Sequence, residues 1–170
     1  MHTGTQIPEL EDVRRAAAQL DGRVHETPLL SSRSLGCWLK CENLQKGGAF
    51  KIRGALNKIL SIPAETRARS VVAFSSGNHA QGVAIAASML GIPAAVVMPE
   101  DSMPHKVEAT QAYGAEVITR GVDVQSRGAV AEGIARERGA TLVPPYDDPF
   151  IVAGQGTVGL EIARQMDDVD

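Results

Sequence analysis

The sequence predicts an α/β protein: an open parallel sheet with helices packed against it. Four short apolar runs, at 70–74, 94–98, 115–119 and 140–143, read as strands of the kind buried on both faces. Helical stretches beginning near His79, Pro104 and Asp123 separate them, and connections of that length suit right-handed crossovers between parallel strands. Gly91, Gly114 and Gly139 each follow a helical stretch and precede a strand, where a left-handed cap is wanted.

The elements follow in chain order. Pro8, with Glu9, Glu11 and Asp12 behind it, suits a first helical turn; the periodic run continues to Leu20, and Gly22 ends it. Residues 37–41 have strand character, with Cys37 and Cys41 expected half-buried on one face. No third or fourth ligand stands close to the two cysteines, so a metal site is not expected there. Gly47-Gly48 marks a break before a helix over 51–61, after which the strand and helix rhythm takes over. Pro144-Pro145 and Pro149 mark a rigid passage into the last segment and a candidate lobe boundary. There is no internal repeat and no low-complexity tract.

A chain of 170 residues can bury a sizeable core, and 44% hydrophobic with 22% charged residues is the usage of a folded globular protein. The formal charge of -3, with no dense basic block, argues against nucleic acid as a partner. The apolar stretches are far shorter than the roughly 20 residues of a membrane span. The first residues do not follow a secretory pattern, so a cytoplasmic location is expected.

Three segments carry chemistry. Ser75-Ser76-Gly77-Asn78-His79 joins a strand to a helix, at the strand ends where open parallel sheets bind ligands. A helix start offers unpaired N–H groups to a carboxylate or phosphate, although a plain polar turn with a capping side chain has the same composition. Lys46 to Ala55 is a glycine turn leading into a helix that begins with Lys51 beside Phe50. A solvated lysine is the ordinary case, whereas a desolvated amine becomes a nucleophile toward an aldehyde. Gly154-Gln155-Gly156-Thr157-Val158-Gly159 fits a dinucleotide-binding pattern, but too little strand precedes it and no full βαβ unit follows.

Taken together, Lys40-Cys41-Glu42-Asn43-Leu44-Gln45, Gly48-Ala49-Phe50-Lys51-Ile52-Arg53-Gly54-Ala55, the run 75–82 and Ala153-Gly154-Gln155-Gly156-Thr157 resemble the threonine dehydratase and serine racemase family of fold-type II pyridoxal-phosphate enzymes. The resemblance spans nearly the whole chain. It implies a small lobe over residues 46–145, with residues 1–45 and 146–170 belonging to a larger lobe. It further implies pyridoxal 5'-phosphate carried on Lys51, whose freed amine removes the substrate α-proton, with Phe50 against the pyridine ring and Asn78 on the phenolic oxygen. By the same resemblance, Ser75, Ser76, Gly77, Asn78 and His79 would form the substrate-binding loop for the carboxylate of a small hydroxy-amino acid, and elimination of the β-hydroxyl would yield 2-oxo acid and ammonia. Many dehydratases of the family carry Ala where this sequence has Ser76, and racemases carry Ser as an acid on the opposite face, so racemisation of serine or hydroxyaspartate stays open.

In that family the chain runs on, past the equivalent of position 170, into a glycine-rich loop that cradles the cofactor phosphate. The expectation is an N-terminal portion with no useful turnover by itself, and a homo-oligomer in the complete form. Two other readings stand beside the enzyme: a non-catalytic ligand-binding or pairing half, and a nicotinamide-binding protein.

Overall fold

A computed structural model of the protein describes residues 7–67 and 69–167. Helix α1, Leu10–Leu20, opens with a reciprocal cap in which the Glu9 amide donates to the Asp12 carboxylate at 2.8 Å. A hairpin of β1, Leu29–Ser32, and β2, Cys37–Lys40, follows in antiparallel register from Leu29↔Lys40 to Ser32↔Cys37. The sequence pattern did not announce β1, because Leu-Leu-Ser-Ser carries no alternation. Cys37 lies exposed on β2, and Cys41 falls beyond the strand at the start of the 3-10 turn Glu42–Leu44. The half-buried pair on one strand face is therefore corrected: the strand ends one residue too early to hold both. A second tight turn, Lys46–Gly48, has Gly47 and Gly48 at φ 72 and 69, the left-handed region that a side chain resists.

Helix α2, Lys51–Ser61, has the bounds expected from the sequence and is the most deeply packed helix, with Ile52, Ala55, Leu56 and Ile59 sealed from solvent. A short turn of helix, α3, Ala64–Arg67, leads to β3, Val71–Phe74. The alternation then runs through α4, Asn78–Leu90; β4, Ala94–Val97; α5, Pro104–Ala112; β5, Glu116–Ile118; α6, Arg127–Arg138; β6, Thr141–Val143; and α7, Pro149–Gln165. Helix α6 begins four residues later than the sequence suggested. Asp123 and Ser126 first close a reciprocal turn, the Ser126 amide on the Asp123 carboxylate at 2.6 Å and the Asp123 amide on the Ser126 hydroxyl at 3.0 Å.

The four strands form one parallel sheet in the order β5-β4-β3-β6, with β3 pairing on one side to β4 (Val71↔Ala94) and on the other to β6 (Val71↔Thr141). Side-chain alternation divides the core. Val71, Ala73 and Val143 pack with Ile52, Leu56 and Val83 of α2 and α4, whereas Val72, Ala95 and Val97 pack with Ala131 and Ala135 of α6. Gly91, Gly114 and Gly139 stand at φ 64, 88 and 59, as helix-ending glycines should.

Helix α7 is capped by Asp148, whose carboxylate accepts from the Phe150 and Ile151 amides at 2.9 and 3.1 Å, and it lies across α2 and α1. The glycine pattern 154–159 is inside this helix rather than in a strand-to-helix turn. Gly154 instead permits a close crossing: a Cβ there would stand 2.7 Å from the Arg53 carbonyl oxygen and 2.7 Å from the Gly54 Cα. No helix of the described residues is long and apolar enough to cross a membrane.

Candidate active site

The loop 75–77 leaves the carboxyl end of β3, one of the two inner strands of the sheet, and enters α4. The Ser75 amide still donates to the Val97 carbonyl at 3.1 Å, and the Ser75 hydroxyl accepts from the Gly77 amide at 3.2 Å, which ties the loop into a tight turn. The first residue of α4 has no side-chain cap, so the amides of its opening turn point their donors and the positive dipole end at whatever sits above the loop. Two cations flank the loop. The Arg127 guanidinium of α6 donates to the Ser76 hydroxyl at 3.3 Å, and the Lys106 Nζ of α5 lies 3.4 Å from where a Cβ of Gly77 would stand.

Lys51 is the first residue of α2. Its Nζ donates to the Pro145 carbonyl at 3.0 Å and lies 5.4 Å from the centroid of the Phe50 ring. Burial lowers the pKa of this amine below the ordinary lysine value. His79, second in α4, is 2% exposed, with Nε2 3.1 Å from the Val143 carbonyl. A carbonyl only accepts, so Nε2 carries the proton and Nδ1 is a buried acceptor with no partner among the described residues. Desolvation pushes the His79 pKa down to about 4; the bond to Val143 opposes this and the Lys51 charge reinforces it. The ring is neutral at physiological pH.

Lys51 and His79 thus hang from carbonyls two residues apart on the chain leaving β6. Asn78 is one helical turn from Gly82, and a Cβ at Gly82 would stand 3.0 Å from the Lys51 carbonyl carbon. Asn78 therefore lies on the side of α4 that faces the lysine-bearing helix. Of the predicted site residues, Phe50, Lys51, Asn78 and His79 gather along this α2–α4 seam, and Ser75, Ser76 and Gly77 form the adjoining loop. Sequence reasoning missed the Val143 and Pro145 carbonyls, Lys106 and Arg127. Only the Pro144-Pro145 pair had a visible signal, as a rigid passage. A cleft of about 720 Å³ between α1 and α7 lies away from this seam.

Residues 20–170 match the family model described as pyridoxal-phosphate dependent enzyme. The L-threonine ammonia-lyase of Geobacter sulfurreducens is 46% identical over 165 residues, covering 97% of this chain and 41% of that protein. The L-threo-3-hydroxyaspartate ammonia-lyase of Saccharomyces cerevisiae is 41% identical, covering 96% of this chain and 52% of that protein. Maize serine racemase superposes with a TM-score of 0.92 at 40% identity, over 96% of this chain and 51% of the other. The chain therefore spans about half the length of the relatives it matches. The order of the motifs, the parallel sheet with its loop at the β3 end, and a half-buried lysine at a helix start meet in one conclusion: the chain belongs to the pyridoxal-phosphate dependent enzyme family.

Proposed function

We propose that the protein catalyses α,β-elimination of small hydroxy-amino acids of the serine and threonine type, giving 2-oxo acid and ammonia, with Lys51 as the residue that bears pyridoxal phosphate. The observation that carries this reading is the Lys51 amine, lowered in pKa by burial and resting on the Pro145 carbonyl beside an uncapped helix start. These residues fit the cofactor. A lowered amine is the form that attacks an aldehyde, the Phe50 ring is within reach of it, and the unpartnered His79 Nδ1 leaves an acceptor for a donor group. Pyridoxal phosphate, when bound, supplies a ring that takes up the electron pair left at the substrate α-carbon.

The chain's own residues account for the rest. The opening amides of α4 and the Ser75–Gly77 loop hold the substrate carboxylate. The Lys51 Nζ takes the proton from the α-carbon, the β-carbon to oxygen bond breaks, and the leaving hydroxyl takes up that proton and departs as water, which returns the amine to its neutral form. The dehydrated amino acid, after release, is hydrolysed to 2-oxo acid and ammonia. Borohydride reduction of the complete, cofactor-loaded protein followed by peptide mapping is expected to recover the pyridoxyl label on Lys51. Lys51→Ala is expected to abolish both label and ammonia release from serine and threonine. Label on Lys46 or Lys58 instead would show that the assignment is wrong.

A second reading, racemisation or an acidic hydroxy-amino acid substrate, is favoured by one observation, the Arg127 to Ser76 bond. It places a hydroxyl able to deliver a proton, and a cation able to pair with a second carboxylate, at the same loop. Ser76→Ala is expected to lower racemisation more than elimination. Equal losses would assign the hydroxyl to carboxylate binding. Arg127→Gln is expected to raise KM for 3-hydroxyaspartate by about tenfold or more, the size of one charge-assisted bond, and to spare serine.

A further inference from the structure

We propose that Arg53 is a positioning residue for Lys51: its buried guanidinium, held between Glu42 and Glu161, fixes the rotation of α2 and so the place where the Lys51 amine stands. The proposal rests on the reading of Lys51 as the cofactor-bearing lysine.

The Arg53 side chain is 0% exposed and uses its whole donor fork. Nε and Nη2 donate to the two Glu42 oxygens at 2.9 and 2.8 Å, and Nη1 and Nη2 donate to the two Glu161 oxygens at 2.6 and 3.0 Å. Nη1 also reaches the Thr157 hydroxyl at 3.2 Å, and Nη2 the His25 carbonyl at 3.2 Å. A second tier holds the carboxylates in turn: the Lys40 Nζ lies 2.6 Å from Glu161, and the Thr27 hydroxyl donates to Glu42 at 2.6 Å. Two cations face two anions, so the cluster is neutral as a whole. Burial pushes the Arg53 pKa down, but the bonds to Glu42 and Glu161 outweigh it and the net shift is upward. Burial likewise pushes Glu161 up, and the bonds from Arg53 and Lys40 bring it below its ordinary value. Arg53 and Glu161 are therefore both charged at neutral pH.

Position on the helix turns this cluster toward the chemistry. Residues 51 and 53 are roughly 200° apart around the α2 axis, so the amine and the guanidinium project on nearly opposite sides. One side meets the β6 exit through Pro145; the other meets α7 and the Glu42 turn. Rotation of a helix gripped on one side moves every side chain on the other. Two backbone contacts, Gly82 against the Lys51 peptide and Gly154 against the Arg53 carbonyl, leave α2 no room to slide away from either neighbour. Buried ion clusters are often replaceable by apolar side chains without loss of stability, so the presence of this one does not by itself argue for a stabilising role. What distinguishes it is a planar fork bidentate to two carboxylates, a geometry lysine cannot reproduce.

The test uses the complete protein in two variants. One is Arg53→Lys; the other is the quadruple variant Lys40→Met, Glu42→Met, Arg53→Met and Glu161→Met, which removes every charge of the cluster at once. Three quantities are read: the borohydride label, kcat against KM, and the pH midpoint for attachment of added pyridoxal phosphate to the apo protein. Both variants are expected to fold and to carry the label on Lys51. KM should stay near the wild-type value while kcat falls on the order of 10- to 100-fold, the size of a sub-ångström to 1 Å misplacement of a reacting group. The attachment midpoint should rise toward that of an ordinary lysine as the amine leaves its half-buried place. A folded quadruple variant with wild-type kcat and midpoint would reduce the cluster to a structural feature and overturn the proposal. Failure of both variants to fold would overturn it as well, by assigning Arg53 to folding itself. A wild-type label elsewhere than Lys51 would remove the underlying reading, whereas a label on Lys51 with unchanged kinetics removes this inference alone.

Discussion

His79 stores a pH dependence in a single buried ring. In the unfolded chain its imidazole titrates near 6.5, and in the folded protein at about 4, so between those values the unfolded state holds a proton that the native state does not. Stability is complete above about 6.5, falls as the pH drops, and levels off below about 4. From pH 7 to pH 5 the loss is roughly 2 kcal/mol. Urea midpoints measured across that range are expected to show the slope in the parent protein, and His79→Gln is expected to flatten it. A slope unchanged by the substitution would mean that other groups titrate there. At this scale the site was partly legible in the sequence. Lys51 beside Phe50, and the run from Ser75 to His79, stand out as candidates by residue type and local position. The Val143 and Pro145 carbonyls that hold Lys51 and His79 do not, because every residue has a carbonyl and only the tertiary fold selects which ones face the site.

Between elements, the crossing of α2 and α7 sets the tightest tolerance. A methyl group at Gly154 meets backbone and Cβ atoms at 2.7–2.9 Å, none of which is the free end of a flexible side chain. Gly154→Ala should therefore destabilise the protein by about 1–3 kcal/mol through overpacking. Gly159, in the same helix, has open space around it. There Gly159→Ala should stabilise by roughly 0.5–1 kcal/mol, because only the helical entropy cost of glycine changes. Thermal melts of the two variants, moving in opposite directions, check the assignment; a shift in the same direction for both would contradict the crossing geometry. The sequence signalled α2 because the glycine turn Gly47-Gly48 precedes it, and the observed bounds Lys51–Ser61 match the expected ones. At 154–159 the glycine spacing has the form of a phosphate-binding turn without the strand context for one, and its packing role against α2 is visible only in the fold.

For the molecule as a whole, the alternation of strands and helices made the parallel sheet legible, but not its order. Strand β6 pairs with β3, which precedes it by 67 residues from the last residue of one to the first of the other, and nothing local in 141–143 selects that neighbour over β5. The 170 residues alone, which span 41% to 52% of the cited relatives, are expected to release ammonia from serine or threonine at a negligible rate even with saturating pyridoxal phosphate. Turnover within about tenfold of the complete protein would show that these residues enforce reacting geometry unaided. The passage out of the sheet imposes a rule of its own. Pro144 and Pro145 have no amide hydrogens, so this stretch of backbone presents lone pairs only. It selects by polarity: whatever rests on it must bring a hydrogen, as Lys51 does at the Pro145 carbonyl. Having spent its one hydrogen on Val143, the neutral His79 ring turns a lone pair toward the interior. That buried lone pair has no partner among the described residues, and by its chemistry it suits a hydroxyl or an ammonium rather than a bare carboxylate.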